Sequence, residues 1–133
     1  MNTEPVLPDP FIEDFAADWL RLGEPGVGER LLAGTLLVLG PDGTTPVPRG
    51  AFLAAVGERG RAVADAPQAS TTLERVEARP VGDRLVLATL AWSFRHGDTG
   101  TSLVSDFLLQ REDGGSLRCL AYLPRTNVLD HLR

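Results

Sequence analysis

Two neighbouring stretches, Arg84–Phe94 (RLVLATLAWSF) and Thr101–Arg111 (TSLVSDFLLQR), are apolar at odd and even positions alike. They are rich in Val, Leu, Phe and Trp, and bounded by His96-Gly97-Asp98-Thr99-Gly100 and Asp113-Gly114-Gly115. Such runs read as consecutive antiparallel strands, with Ser116–Leu123 (SLRCLAYL) as a third. In the first, Val86, Leu90, Trp92 and Phe94 take one face and Leu85, Leu87 and Ala91 the other. In the second, Leu103, Phe107 and Leu109 lie opposite Val104 and Leu108. An antiparallel sheet with one wet face alternates apolar with polar residues. A sheet made from these strands therefore needs cover on both sides.

Upstream residues supply cover for one side. Asp9 as N-cap, Pro10 at the first helical position and the acidic Glu13 and Asp14 predict a helix start. Phe11, Phe15, Trp19 and Leu22, with Ile12 beside them, form an apolar stripe, and Gly23 is the expected C-cap. Val27–Ala33 reads as a second short helix and Leu36–Leu39 as a short strand. Gly40–Pro48 (GPDGTTPVP) is dense in turn residues and reads as a loop. A helical pattern from Arg49 to about Ala66 aligns Phe52, Val56 and Val63, with Pro67 beyond its end. Gly57 and Gly60 weaken that helix by about 1 kcal/mol each relative to Ala. Thr71–Arg79 is a more polar strand whose Leu73 and Val76 stand three apart, the mark of a bulge. Val81-Gly82-Asp83 turns it into Arg84–Phe94.

Helices that precede a run of hairpin-joined strands give an α+β fold with a mostly antiparallel sheet, its helices on one face. Residues 1–8 and Asn127–Arg133 read as tails, and 9–133 as one domain. The second apolar face is then most simply covered by another copy of the chain, a homodimer packed sheet against sheet.

Composition narrows the partners. With 133 residues the chain suits one domain that buries roughly 68% of its unfolded surface. A net charge of −5 argues against nucleic acid and anionic membrane as partners. No apolar run approaches the roughly 18 residues a membrane span requires, and the acidic, proline-broken start MNTEPVLPDP is unlike a signal peptide. The expected location is the cytoplasm. The single cysteine, Cys119, allows neither an internal disulfide nor a cysteine zinc site, and its place inside a strand predicts a buried inert thiol.

From Phe11 to Leu123 the chain resembles the nuclear transport factor 2-like superfamily, which includes SnoaL-like and ketosteroid-isomerase-like proteins. The resemblance rests on the aromatic helix FIEDFAADWLRLG, the loop GPDG followed by RGAFLAAV, the strand RLVLATLAWSF, and the closing pair VSDFLLQREDGGSLRCLAYL. It implies a cystatin-like cone: a curled sheet around a pocket, closed by the first helix, with dimerisation through the sheet. Many members bind or transform a small apolar molecule in that pocket. Fold alone does not say which.

Candidate chemistry is sparse. Asp106 is the one carboxylate inside the two apolar strands, where alternation groups it with Ser102, Val104, Leu108 and Gln110. Facing an apolar pocket, it would have the raised pKa of a general acid or base of an isomerase, cyclase or dehydratase. Paired with an Arg such as Arg118, or lying on a dimer face, it would be structural. Ketosteroid isomerases hold an oxyanion with a helix-borne Tyr beside a protonated carboxylic acid. Here the first helix carries Phe15 and Trp19 instead, and the sole tyrosine, Tyr122, is on the last strand. Phe15, Trp19, Trp92 and Tyr122 are the candidate ligand-lining residues, large enough to stack on a flat apolar molecule. His96 and His131, the only histidines, fall in a turn and near the C-terminus. No metal-ligand spacing and no nucleotide or nucleophile motif occurs, so no metal and no cofactor is expected. Three roles stay open: a small-molecule binder, a small acid–base enzyme, and a protein-interaction module.

Overall fold

The computed structural model describes residues 10–22, 24–40, 43–56 and 70–125. Its elements are α1 (Pro10–Trp19), α2 (Val27–Leu31), β1 (Leu32–Gly40), β2 (Gly43–Pro48), β3 (Ser70–Pro80), β4 (Leu85–His96), β5 (Thr99–Arg111) and β6 (Leu117–Pro124). A third helix, α3, covers residues 49–56 within the described residues. The expected tails 1–8 and 127–133, the caps Asp9 and Gly23, the helix beyond 56 with Gly57, Gly60 and Val63, His131 and the His96 side chain lie outside them.

The six strands form one curled sheet in the order β2-β1-β6-β5-β4-β3, the α+β cone expected from the sequence. All neighbours are antiparallel except β1 and β6, which run parallel. The β4–β5 hairpin pairs continuously from Leu85↔Gln110 to His96↔Thr99. Its turn closes to Gly97-Asp98, with Gly97 at φ 65°, so the strands extend further than the turn residues suggested. In β3 the register shifts between Leu73 and Arg75, the bulge that the three-residue spacing predicted.

Three expectations need correction. The second helix stops at Leu31 instead of Ala33, and Leu32 and Ala33 open β1, which is longer than the expected Leu36–Leu39. Gly43–Pro48 is not loop but β2, paired with β1 from Thr35↔Pro48 to Gly40↔Gly43. Pro46 and Pro48 are tolerated there because β2 is the sheet edge, where a strand has one partner only. Phe11 does not join the buried stripe of α1. That stripe is Ile12, Phe15, Ala16 and Trp19, at spacings of three and four. Phe11, 36% exposed, instead packs beside Gly115 and below the Arg111 guanidinium, 6.0 Å from its ring centre. Gly115 has φ 96°, and a Cβ there would meet the Phe11 ring at 2.7 Å, so glycine suits it on both counts.

The core lies between the inner face of the sheet and the three helices. From β4 it takes Val86, Ala88, Leu90, Trp92 and Phe94, from β5 Leu103, Phe107 and Leu109, and from β6 Leu117, Cys119 and Tyr122. Leu36 of β1 and Phe52 of α3 close it from the other end.

Candidate functional site

The concave face of the sheet gathers aromatic rings from five elements. Phe15 and Trp19 descend from α1, Phe52 from α3, Phe107 from β5, and Trp92 and Tyr122 from β4 and β6. Phe107 sits at the centre. Its ring meets Trp19 edge-on at 4.7 Å, Phe15 edge-on at 5.2 Å, and Tyr122 in a stacked contact at 5.4 Å. Trp19 also lies 4.9 Å from Tyr122 and 5.9 Å from Phe52. Trp92 joins through Phe107 at 6.5 Å. Edge-on contacts place the positive rim of one ring on the negative face of the next, each worth about 0.5–1.5 kcal/mol beyond burial.

The four aromatic candidates of the sequence, Phe15, Trp19, Trp92 and Tyr122, are therefore brought together in one buried cluster. Phe107 and Phe52 complete it and were not singled out from the sequence. Phe107 was legible in principle: it occupies the same strand face as Leu103 and Leu109, between two candidate strands. Phe52 could be placed only by knowing how α3 returns over the sheet.

Asp106 is not in this cluster. Strand parity turns Phe107 inward and Asp106 outward, opposite to the pocket-facing arrangement that acid–base chemistry requires. On the convex face its carboxylate accepts hydrogen bonds from Thr89 Oγ1 at 2.6 Å and Arg125 Nε at 2.6 Å. Arg125 lies just past β6, anchored by its own N–H to the Val104 carbonyl. The partner is thus Arg125 rather than Arg118. Arg118 pairs with Glu112 at 3.2 Å and donates to the Leu32 carbonyl at 2.9 Å.

Polar atoms on the concave side are few. Among the described residues the buried set contains no charged side chain, and Ser105 is its one small hydroxyl. Cys119 is fully buried, and desolvation pushes its thiol up to about 12, so it stays protonated and unreactive at neutral pH. The Trp92 indole N–H is buried without a hydrogen-bond partner. Among the described residues no three metal-ligating side chains come together. No described helix is long and apolar enough to cross a membrane.

No family model and no curated protein matches the sequence. Solved structures do match the fold. Nuclear transport factor 2 from Cryptosporidium parvum superposes with a TM-score of 0.64 at 12% identity, over 94% of this chain and all of that one (100%). A ketosteroid isomerase candidate from Shewanella frigidimarina gives 0.65 at 10% identity, over 86% and 91%. A nuclear transport factor 2-like protein of unknown function from Shewanella oneidensis gives 0.61 at 10% identity, over 89% and 98%.

Proposed function

We propose, from the nuclear transport factor 2-like fold that this chain has, that it binds a small apolar molecule on the concave, aromatic face of its sheet. The observation that carries this reading is the cluster of Phe15, Trp19, Phe52, Trp92, Phe107 and Tyr122 beneath α1. Ligand sites are typically concave, aromatic and served by few polar groups. Proteins of this fold include a ketosteroid isomerase candidate, yet acid–base catalysis by Asp106 lacks support here, because its carboxylate is engaged on the opposite face. Binding without catalysis is the better-supported role.

A neutral solvatochromic dye such as Nile red tests it. The dye is expected to brighten saturably at one molecule per chain, and a binder lining its site with Trp19 should lose at least tenfold in affinity in Trp19→Ala. Asp106→Asn should bind the dye as wild type does. An unsaturable response, or loss of binding in Asp106→Asn, would refute the reading.

A second reading concerns the partner and rests on the convex face. Leu37, Ala121, Leu108 and Leu87 are laterally paired across β1, β6, β5 and β4, forming an apolar row, with Leu37 45% and Leu87 40% exposed. Val104 and Ala91 make a further pair beside it. On this face the pair Asp106–Arg125 carries both signs of charge, which a self-complementary contact between two copies can use. The occupant we propose is a second copy of this chain.

A further inference from the structure

The unpaired indole of Trp92 has a consequence for what enters the cone. Trp92 is 4% exposed, and its Nε1–H meets no acceptor. A buried donor left unsatisfied costs about 1–3 kcal/mol, so native structures keep few of them. Its strand neighbours offer no remedy: Trp92 pairs laterally with Leu73 and Leu103, both apolar. One diagonal step away on the same face stand three hydroxyls, Ser105 and Thr101 of β5 and Thr71 of β3, and of these Ser105 is the buried one, likewise 4% exposed. A hydroxyl one diagonal step away lies about 7–8 Å off between Cα atoms, close enough to share a small ligand.

The rest of the buried set sets the ligand's charge. Among the described residues it holds no Asp, Glu, Arg or Lys, and burial keeps the Cys119 thiol protonated. A charged guest would lose its hydration there and gain no counter-charge. A neutral guest loses little.

We infer that the Trp92 indole N–H is the polar anchor of the site, and that the ligand is an uncharged apolar molecule presenting an acceptor oxygen, a carbonyl or ether, to it. This rests on the binding role proposed above and adds the recognition chemistry. The hydroxyl of Ser105 serves as the second polar contact.

Two probes of equal size separate the possibilities: 2-acetylnaphthalene, which carries the acceptor, and 2-isopropenylnaphthalene, which has a methylene in place of the carbonyl oxygen. Wild type is expected to bind the ketone roughly fivefold more tightly, the worth of one neutral hydrogen bond. The Trp92 indole proton resonance should move downfield with the ketone and stay in place with the hydrocarbon. Trp92→Phe keeps an aromatic ring, smaller than the indole, and removes the donor, and should bring the two affinities together. Equal affinities in wild type, with an unmoved indole resonance, would overturn the anchor while leaving apolar binding intact. Failure of both probes to bind would overturn the anchor and the binding role together. An indole proton that contacts a bound water and keeps it when the ketone is added would also overturn it. The resonance measurement needs wild-type protein only, so a poorly folding Trp92→Phe does not block the decision.

Discussion

Cys119 shows how one side chain couples burial to pH. Its thiol has an ordinary value of 9.0 and is pushed up to about 12 by desolvation. The folded chain therefore keeps its proton where the unfolded chain has begun to lose it. Stability from this group is complete below pH 9 and drains away as pH rises from there toward 12. The expected slope is up to about 1.4 kcal/mol per pH unit. Urea denaturation at pH 8 and pH 10.5 checks it: Cys119→Ala should flatten the difference between the two, although it is less stable at pH 8. An undiminished pH effect in Cys119→Ala would assign the loss to other groups. The buried inert thiol was readable from the sequence, since a lone cysteine inside an apolar strand has little else to be. The position of Asp106 was not. Alternation grouped it correctly with Val104 and Leu108, but both faces of its strand are apolar, so parity could not say which face looked inward. Only the helices decide that, and they reach the sheet through contacts distant in sequence.

At the scale of elements, the join between α2 and β1 is held by two arginines from far along the chain. Arg49 and Arg118 both donate to the Leu32 carbonyl, at 3.3 and 2.9 Å, and both approach the Glu29 carbonyl. The Glu29 oxygen belongs to a five-residue helix, too short to stand by itself, and the Leu32 oxygen to the extended residue that follows it. The Arg118 side chain thereby ties the start of β1 to β6, where the one parallel pairing of the sheet begins at Leu32↔Cys119. Its Glu112 partner steadies the guanidinium. Arg118→Met preserves most of the stem and removes the donors. It should cost about 1.5–3 kcal/mol, the worth of hydrogen bonds made by a charged donor. Amide exchange localises the effect: protection is expected to fall in β1 and to persist in the β4–β5 hairpin. Uniform loss of protection would count against a local clamp. Here the sequence was legible in part. The long strands, the bulge in β3 and α1 follow from periodicity and turn residues. The edge strand β2 did not, because its glycines, threonines and prolines carry loop chemistry and only its position beside β1 makes it a strand. A parallel β1–β6 contact is equally invisible locally, since its partners lie more than eighty residues apart.

For the whole molecule, the governing fact is that the sheet carries apolar residues on both sides and the described helices cover one. The concave side gathers the aromatic rings, and the convex side carries the row Leu37–Ala121–Leu108–Leu87. A stable interface removes about 800 Å² from each partner, which a six-stranded sheet face can supply. Covering Asp106 together with Arg125 keeps charge balanced within the buried area. The wild-type chain is therefore expected to sediment at twice its 14.3 kDa mass. Leu87→Glu with Leu108→Glu tests the face directly. Both side chains keep solvent access in the single chain, so the pair should leave the monomer folded, with a loss near the ±0.5 kcal/mol typical of each surface change. In the dimer, four carboxylates would enter an apolar contact, and association should weaken by more than roughly a hundredfold. Sedimentation at micromolar concentration then gives the single mass with an unchanged far-ultraviolet dichroism spectrum. A wild-type chain that sediments as a monomer would remove the second copy as the cover. A double variant that still dimerises would move the interface to another surface. Because the concave cluster lies on the opposite side of the sheet, Nile red should bind the monomeric variant as it binds the dimer, which separates the role of one face from that of the other.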